Sequence, residues 1–356
     1  MNKFGVGDFH PIQCILPPHM VDAIKKRGDE DQRKMAEQIE KLTAEVRIER
    51  EAAAPAGAFR GVMAMPRGMT AQVARIVYDS KTKATLPGDI ARQEGDPPVA
   101  DVVVNEVYDA AGVVFDLYYD NWRRNSLDGN GLTLIQTVHH RKKFNNAFWN
   151  GSQMAYGDGD GVIFKGFAVL SVVGHELSHG VVQFSGGLEY RDQAGALNES
   201  FADVFGALSE QYKHKQSPAE ASWLIGGGIL GPNIQGSALR SMKAPGTAYN
   251  DPILGQDPQP FHMDLYVNTS SDNGGVHINS GIPNHAFYLL AQYLGGYAWE
   301  KAGRIWYDSM QAINNPFATF QDWADKTVEI ARTVYGAGSM EMLLTRRTWK
   351  LVGIAV

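Results

Sequence analysis

Apolar residues recur along this chain with changing period, and the changes divide it into parts. Between residues 25 and 51, Met35, Ile39, Leu42 and Val46 return at helical spacing among densely mixed charges. That pattern predicts a surface helix whose charges form a solvated face. Residues 52–74 are small, dotted with Pro and Gly and poor in pattern, the composition of an exposed linker. From residue 75 the pattern strengthens. Val103, Val107, Ala111, Val114 and Tyr118 mark a helix within 102–120, while LTLIQTVHH (132–140) and NAFWNGSQMAYGDGDG (146–161) read as strands between Gly, Asn and Asp turns. A strongly apolar helix follows over 167–184. Beyond residue 195 helical patterns dominate, over 196–213, 282–295, 299–313, 320–334 and 339–351. A strand-rich half followed by a helical half predicts an α+β protein of two lobes. The expected divisions are an appendage over 1–60 with its linker to about 74, an N-terminal lobe over 61–185 and an all-helical C-terminal lobe over 186–356.

Composition narrows the function. A hydrophobic fraction of 44% and a charged fraction of 20% describe an ordinary soluble chain. A formal charge of −6, with no basic stripe, argues against a nucleic-acid partner. The single cysteine, Cys14, excludes an intramolecular disulfide and any Cys-based zinc cage. No apolar run of signal-peptide length opens the chain and no 18-residue apolar span follows. The expectation is a protein with no membrane partner, cytoplasmic or secreted by a route other than Sec.

The chemistry lies in GHELSHG, residues 174–180. His175 and His179, four apart, put both imidazoles on one side of the apolar helix, with Glu176 beside the first. The pattern HExxH arises by chance in about one average chain in a hundred, so a third ligand decides. Completion as HExxHxxGxxH fails, because Val182 and Ser185 stand at the required positions. Glu199, in ALNESFADVFGAL (196–208), offers a carboxylate instead. Its helix has a core stripe of Leu197, Phe201, Val204, Phe205 and Leu208, leaving Glu199 and Asp203 together on another face. Two acids one turn apart repel unless a cation lies opposite. A zinc ion held by His175, His179 and Glu199, with Asp203 accepting the ring N–H of a ligating histidine, explains the pair. Glu176 is then free to act as general base.

At these residues the chain resembles the thermolysin-type zinc peptidases. The agreement extends from GHELSHG and NESFAD to NNAFWNGSQMAYGDGDG (145–161), LRSM (239–242) and DNGGVHINSGIPN (272–284), in the family's order over most of residues 75–356. The short appendage and the CILPPHM element are similar to the protealysin-like subgroup, made as precursors with a brief propeptide. The resemblance implies a zinc-dependent endopeptidase acting on peptides or proteins, with one catalytic Zn2+ held by His175, His179 and Glu199 and with Glu176 as base. It implies that Tyr190 and His277 stabilise the transition state, that Asp203 orients His175 and that Asp272 orients His277. Asn146, Ala147 and Arg240 match positions that hold the substrate backbone, residues 146–150 forming an edge strand to which an extended peptide adds. Leu239 matches one wall of a pocket for a bulky apolar residue on the amine side of the cut.

Two features stand apart from the family. Its calcium pair beside the zinc helix is built from acids, and here Glu210 survives while Ser171, Ser222 and Gly227 occupy acidic positions. The double calcium site is therefore expected to be absent or degraded. The loops GDGDG (157–161) and LDGNG (127–131) lack the Glu of an EF-hand and read as turns. In the appendage, the expected propeptide occupies the cleft in cis. Cys14, His10 or His19 then either reaches the zinc or, for Cys14, packs as a small apolar side chain beside the Pro-Pro turn. The competing readings are a catalytically silent relative, an aminopeptidase and an adaptor with structural zinc. Intact Glu176, Tyr190 and His277 argue against the first. The aminopeptidase places its Glu where Asn198 stands, and the adaptor needs cysteines that are missing.

Overall fold

The structure, a computed structural model, describes residues 13–53 and 71–356. His10 and most of the expected linker lie outside the described residues. The first described elements follow from two breakers. After β1 (Gln13–Cys14), Pro18 takes the first position of α1 (Pro18–Arg27), where its missing N–H goes unused in any helix. Gly28 ends α1, and α2 (Glu30–Ala53) returns along it. The apolar period suggested one helix over 25–51. The chain forms two because Asp29 and Gln32 exchange side-chain bonds with each other's backbone N–H, at 2.9 and 2.8 Å, and so start a new helix.

The N-terminal lobe is built on β2 (Arg75–Asp79), β3 (Asp89–Gln93), α3 (Val102–Trp122), β4 (Leu134–Val138), β5 (Ala147–Trp149) and β6 (Met154–Tyr156). Its six-stranded sheet has the order β1-β5-β6-β4-β2-β3. The pairs β2–β4 and β4–β6 are parallel and the rest antiparallel. Strand β5 would be the edge of this sheet but for β1, which pairs Cys14 with Phe148 and Gln13 with Trp149.

Helix α4 (Leu170–Gln183) is buried on every side from Ser171 to Val182, as its unbroken apolar composition requires. It packs against α5 (Asp192–His214), and their closeness depends on glycine. A Cβ at Gly206 would lie 2.5 Å from the Ser171 carbonyl oxygen. The C-terminal region adds the ladders β7 (Leu224–Ile225) with β8 (Arg240–Ser241) and β9 (Asn250–Asp251) with β10 (Gly255–Gln256). Helices α6 (Asp272–Asn279), α7 (Gly281–Leu294), α8 (Ala302–Ala312), α9 (Phe320–Tyr335) and α10 (Met340–Leu351) complete it around buried Trp306, Trp323 and Trp349. The fold is thus α+β, a sheet-bearing lobe and a largely helical one, with α4 and α5 between them.

Candidate metal centre

His175 and His179 leave α4 one turn apart, and their ring orientations are fixed from behind. The Nδ1 of His175 lies 2.8 Å from Asp203 Oδ1, and that of His179 lies 2.8 Å from Asn198 Oδ1. The Asn198 amide nitrogen faces the Leu188 carbonyl, so its oxygen must face the imidazole. Both Nδ1 atoms therefore donate, and both Nε2 atoms present lone pairs to one another across 3.0 Å. Glu199 brings its carboxylate to the same point, 3.5 Å from Nε2 of His175 and 3.4 Å from that of His179. Its Oε2 is buried and accepts no hydrogen bond from the described residues. Three convergent acceptors without a shared donor are incompatible with one another unless a cation lies among them. These ligand atoms all fall within 4.8 Å, and theirs is the metal-capable cluster among the described residues. Two imidazoles and one carboxylate are a donor set for catalytic zinc.

Around the cluster the remaining groups are equally buried. Glu176 accepts from the Trp149 N–H at 3.0 Å through Oε2, while Oε1 is buried without a hydrogen-bond partner among the described residues. Burial, then the neighbouring Glu199 charge, push the Glu176 pKa well up. The Tyr190 hydroxyl donates a short hydrogen bond to Glu199 and lies 3.2 Å from Nε2 of His277. His277 is set on α6, whose Asn273, Gly274 and Gly275 are left-handed, and its Nδ1 lies 2.6 Å from Asp272. Burial alone would lower its pKa, but the Asp272 and Glu199 carboxylates outweigh that and raise it to about 9. A cation on Glu199 would remove part of this lift.

Asp203 does more than meet His175. Arg240 clamps it with two bonds of 2.8 and 2.7 Å, and Asn284 donates to it at 2.8 Å. Burial would raise the Asp203 pKa, yet the Arg240 guanidinium and the His175 bond hold it far below the ordinary range. Asn284 was not singled out in the sequence, and Asn198 was named only as the residue at the aminopeptidase's Glu position. Neutral amides carry no charge pattern, and only the place of Asn198 beside Glu199 in NES offered a signal.

Residues 14–16 lie across this centre. The Ile15 N–H donates to the Ala147 carbonyl at 3.2 Å and the Leu16 N–H to Asn146 Oδ1 at 3.1 Å. Arg240 donates to the Ile15 carbonyl at 3.1 Å, and His277 Nε2 lies 3.0 Å from the Cys14 carbonyl oxygen. The Cys14 side chain packs with Phe144, Phe148 and Ala155, and His19 lies 2.9 Å from the Tyr249 hydroxyl. Leu239, beside Arg240, is buried in the main core.

In the region where acids would hold calcium, Ser171 donates its N–H to Glu210 at 3.0 Å and accepts from Gly226 at 3.2 Å. In the glycine-rich loops Asp160 accepts from the N–H groups of Val162, Ile163 and Phe164, and Asp128 from those of Asn130 and Leu132. These acids stabilise their own turns. Among the described residues no helix is long and apolar enough to cross a membrane.

Comparison with known proteins agrees with this geometry. The family description "Thermolysin metallopeptidase, catalytic domain" matches residues 80–183, and "Thermolysin metallopeptidase, alpha-helical domain" matches 186–354. An "Extracellular metalloprotease" of Pectobacterium carotovorum subsp. carotovorum is 44% identical over 354 residues, 97% of each chain. The "Protease PrtS" of Photorhabdus sp. is 48% identical over 288 residues, 79% of this chain and 76% of its own. The solved precursor of protealysin, a metalloproteinase from Serratia proteamaculans, is 45% identical. It superposes with a TM-score of 0.85 over 96% of this chain and 100% of its own.

Proposed function

This chain belongs to the thermolysin metallopeptidase family and is a metalloprotease, and from that premise we propose that it is a zinc-dependent endopeptidase, latent in its precursor, that cuts on the amine side of bulky hydrophobic residues. One observation carries the reading: an extended segment, residues 14–16, is hydrogen-bonded along β5 and across the metal-capable cluster as a bound peptide would be.

His175, His179 and Glu199 hold the zinc, and Asp203 and Asn198 keep the two imidazoles in the ligating tautomer. The chemistry zinc supplies when bound is the acidification of a water and the polarisation of the scissile carbonyl. Glu176, buried and held through Oε2 by the Trp149 N–H, takes the water's proton and returns it to the leaving nitrogen. Protonated His277, held by Asp272, and the Tyr190 hydroxyl donate to the oxygen that becomes negative in the tetrahedral state. Asn146, the Ala147 carbonyl and Arg240 align the substrate backbone on β5. Leu239 contributes to the wall that receives the bulky side chain. Wholly buried Ile15 marks that place in the precursor.

The appendage over 1–60 inhibits in cis by filling this groove, and its removal in the 52–74 region releases the enzyme. Ser171, Ser222 and Gly227, standing where the family has acids, support the loss of the double calcium site. Similarity to the extracellular metalloprotease of Pectobacterium supports action outside the cell.

The test is hydrolysis of a blocked hydrophobic peptide by wild type and Glu176→Ala, each first cut in the linker by an unrelated immobilised protease, with zinc content measured in both. The variant is expected to keep its zinc and lose about 10²–10⁴-fold or more in rate. Near-normal turnover would sink the mechanism.

A further inference from the structure

We propose that the Cys14–Ile15 peptide bond is itself poised for cleavage, so that the zinc-loaded precursor cuts its own inhibitory strand there in cis. This rests on the peptidase reading above and goes beyond it by naming the bond.

The groups of the centre bracket one bond. His277 Nε2 meets the Cys14 carbonyl oxygen at 3.0 Å, with the Tyr190 hydroxyl 3.2 Å from the same nitrogen. On the other side of that bond, the Ile15 N–H donates to the Ala147 carbonyl at 3.2 Å, and two residues along the same strand the Trp149 N–H holds the Glu176 carboxylate at 3.0 Å. The neighbouring bonds are displaced from these groups. The Ile15 carbonyl is held by Arg240, and the Leu16 N–H by Asn146. The segment runs antiparallel to β5 with Cys14 opposite Phe148. Successive side chains of an extended strand point to opposite sides. Cys14 therefore meets the Phe144–Phe148 cluster, and Ile15 enters the main core, wholly buried. A bulky apolar residue on the amine side of the bracketed bond is the preference proposed for external substrates.

In the reaction, water gives its oxygen to the Cys14 carbonyl carbon and the C–N bond to Ile15 breaks. Glu176 carries one of water's protons to the Ile15 nitrogen, and the other passes to that nitrogen from the newly formed carboxylic acid. The products are a Cys14 carboxylate and an Ile15 ammonium, with no other reactant consumed. The cut removes the His277 contact and the β1 pairing but leaves the Ile15 side chain, the Arg240 bond and the α1–α2 hairpin in place. Release is then stepwise.

The experiment uses the full chain, purified with zinc withheld, then given zinc together with a blocked hydrophobic peptide. Intact mass and N-terminal sequencing follow the chain at several protein concentrations. The expected first new N-terminus is Ile15, formed at a rate independent of protein concentration, while Glu176→Gln stays whole. A different first terminus, a concentration-dependent rate, or peptide hydrolysis with bond 14–15 intact overturns the inference and leaves the peptidase reading standing. Hydrolysis of neither peptide nor chain overturns both. Because the chain has a single cysteine, carbon-13 cysteine labels one carbonyl for a readout without turnover. In Glu176→Gln its infrared band is expected at lower frequency than in the unfolded chain, returning upward when His277→Ala is added. A band that ignores His277 also overturns the inference.

Discussion

Truncating Ile15 to Ala isolates what its side chain contributes to closing the groove. The backbone bonds of residues 14–16 do not involve that side chain, so they survive the change. Ile15 is wholly buried. Removing a buried Ile side chain down to Ala costs about 2–5 kcal/mol, the range reflecting how far the site can close on the cavity. Here the cost falls on the equilibrium between docked and undocked strand, because the strand can leave while the catalytic lobes stay folded. At about 1.4 kcal/mol per tenfold, docking should weaken by about 30-fold to a few thousandfold. Amide hydrogen exchange reads this directly. The N–H groups of residues 15 and 16 donate to Ala147 and Asn146 and exchange only when the strand lifts. In a Glu176→Gln background, which leaves an acceptor for the Trp149 N–H and prevents self-cutting, their protection should fall by that factor while protection in α4 and α5 holds. Unchanged protection at residues 15 and 16 would refute the assignment of Ile15 as an anchor. An equal loss throughout the lobes would instead place its effect on global stability.

Two further outcomes follow from buried and half-buried charge. Asp203→Asn leaves Arg240 facing a neutral amide in a dry site and is expected to cost about 3–5 kcal/mol by chemical denaturation. It should also weaken zinc about 10–100-fold in competition with a chromogenic chelator, and wild-type values in both measurements would count against the Arg240–Asp203–His175 linkage. His139 lies between Asp158 and Asp101 at 2.8 and 2.9 Å. The Asp158 bond, opposed by burial and assisted by Asp101, raises its pKa from 6.5 to about 9. A raised folded pKa stabilises fully below about 6.5 and loses that contribution as pH climbs through about 9. A rise from 6.5 to about 9 corresponds to about 3.4 kcal/mol. Because both acids are 40% exposed, screening reduces this to about 1–2 kcal/mol. Urea denaturation of wild type and His139→Gln should therefore differ below neutrality and converge at high pH, and a pH-independent difference would contradict the pairing.

What the sequence disclosed, and what it withheld, divides along physical lines. Helices with a strong apolar period, such as α3, α9 and α10, lie within two residues of the spans the pattern indicated. The metal-capable cluster was legible because four-residue spacing on a helix fixes relative direction, and because Glu199 stands apart from the core stripe of α5, one turn from Asp203. Strand β1 was not legible. Its partner β5 is more than a hundred residues away, and an apolar run as short as Cys14–Leu16 has no period to read. The Arg240–Asp203 clamp escaped for the same reason. Each residue had a separate role suggested by its own neighbourhood, and only the fold makes one guanidinium serve both Asp203 and the Ile15 carbonyl.

That shared guanidinium bears on how latency ends. Under the proposed function, the strand of residues 14–16 uses the bonds along β5 that a substrate would use, so its backbone has no intrinsic advantage over a competing peptide. Its advantage is covalent attachment and the hairpin behind it, whose Met20, Val21, Ile24, Ala36 and Ile39 are buried. A tethered ligand holds its site at an effective concentration set by the linker, commonly near millimolar for a short flexible one. Cutting within 52–74 abolishes that concentration while leaving every docked contact intact, so the hairpin departs only on dilution or on its own degradation. Cutting at Cys14–Ile15 does the opposite: the tether persists and the contacts over His277 go. The two cuts therefore act on different sources of inhibition: the linker cut frees the enzyme once the hairpin is diluted away, and the groove cut clears His277 while the hairpin stays tethered. The order in which the new N-termini appear, followed beside the rate on an added peptide, distinguishes a precursor opened at the groove from one opened at the linker.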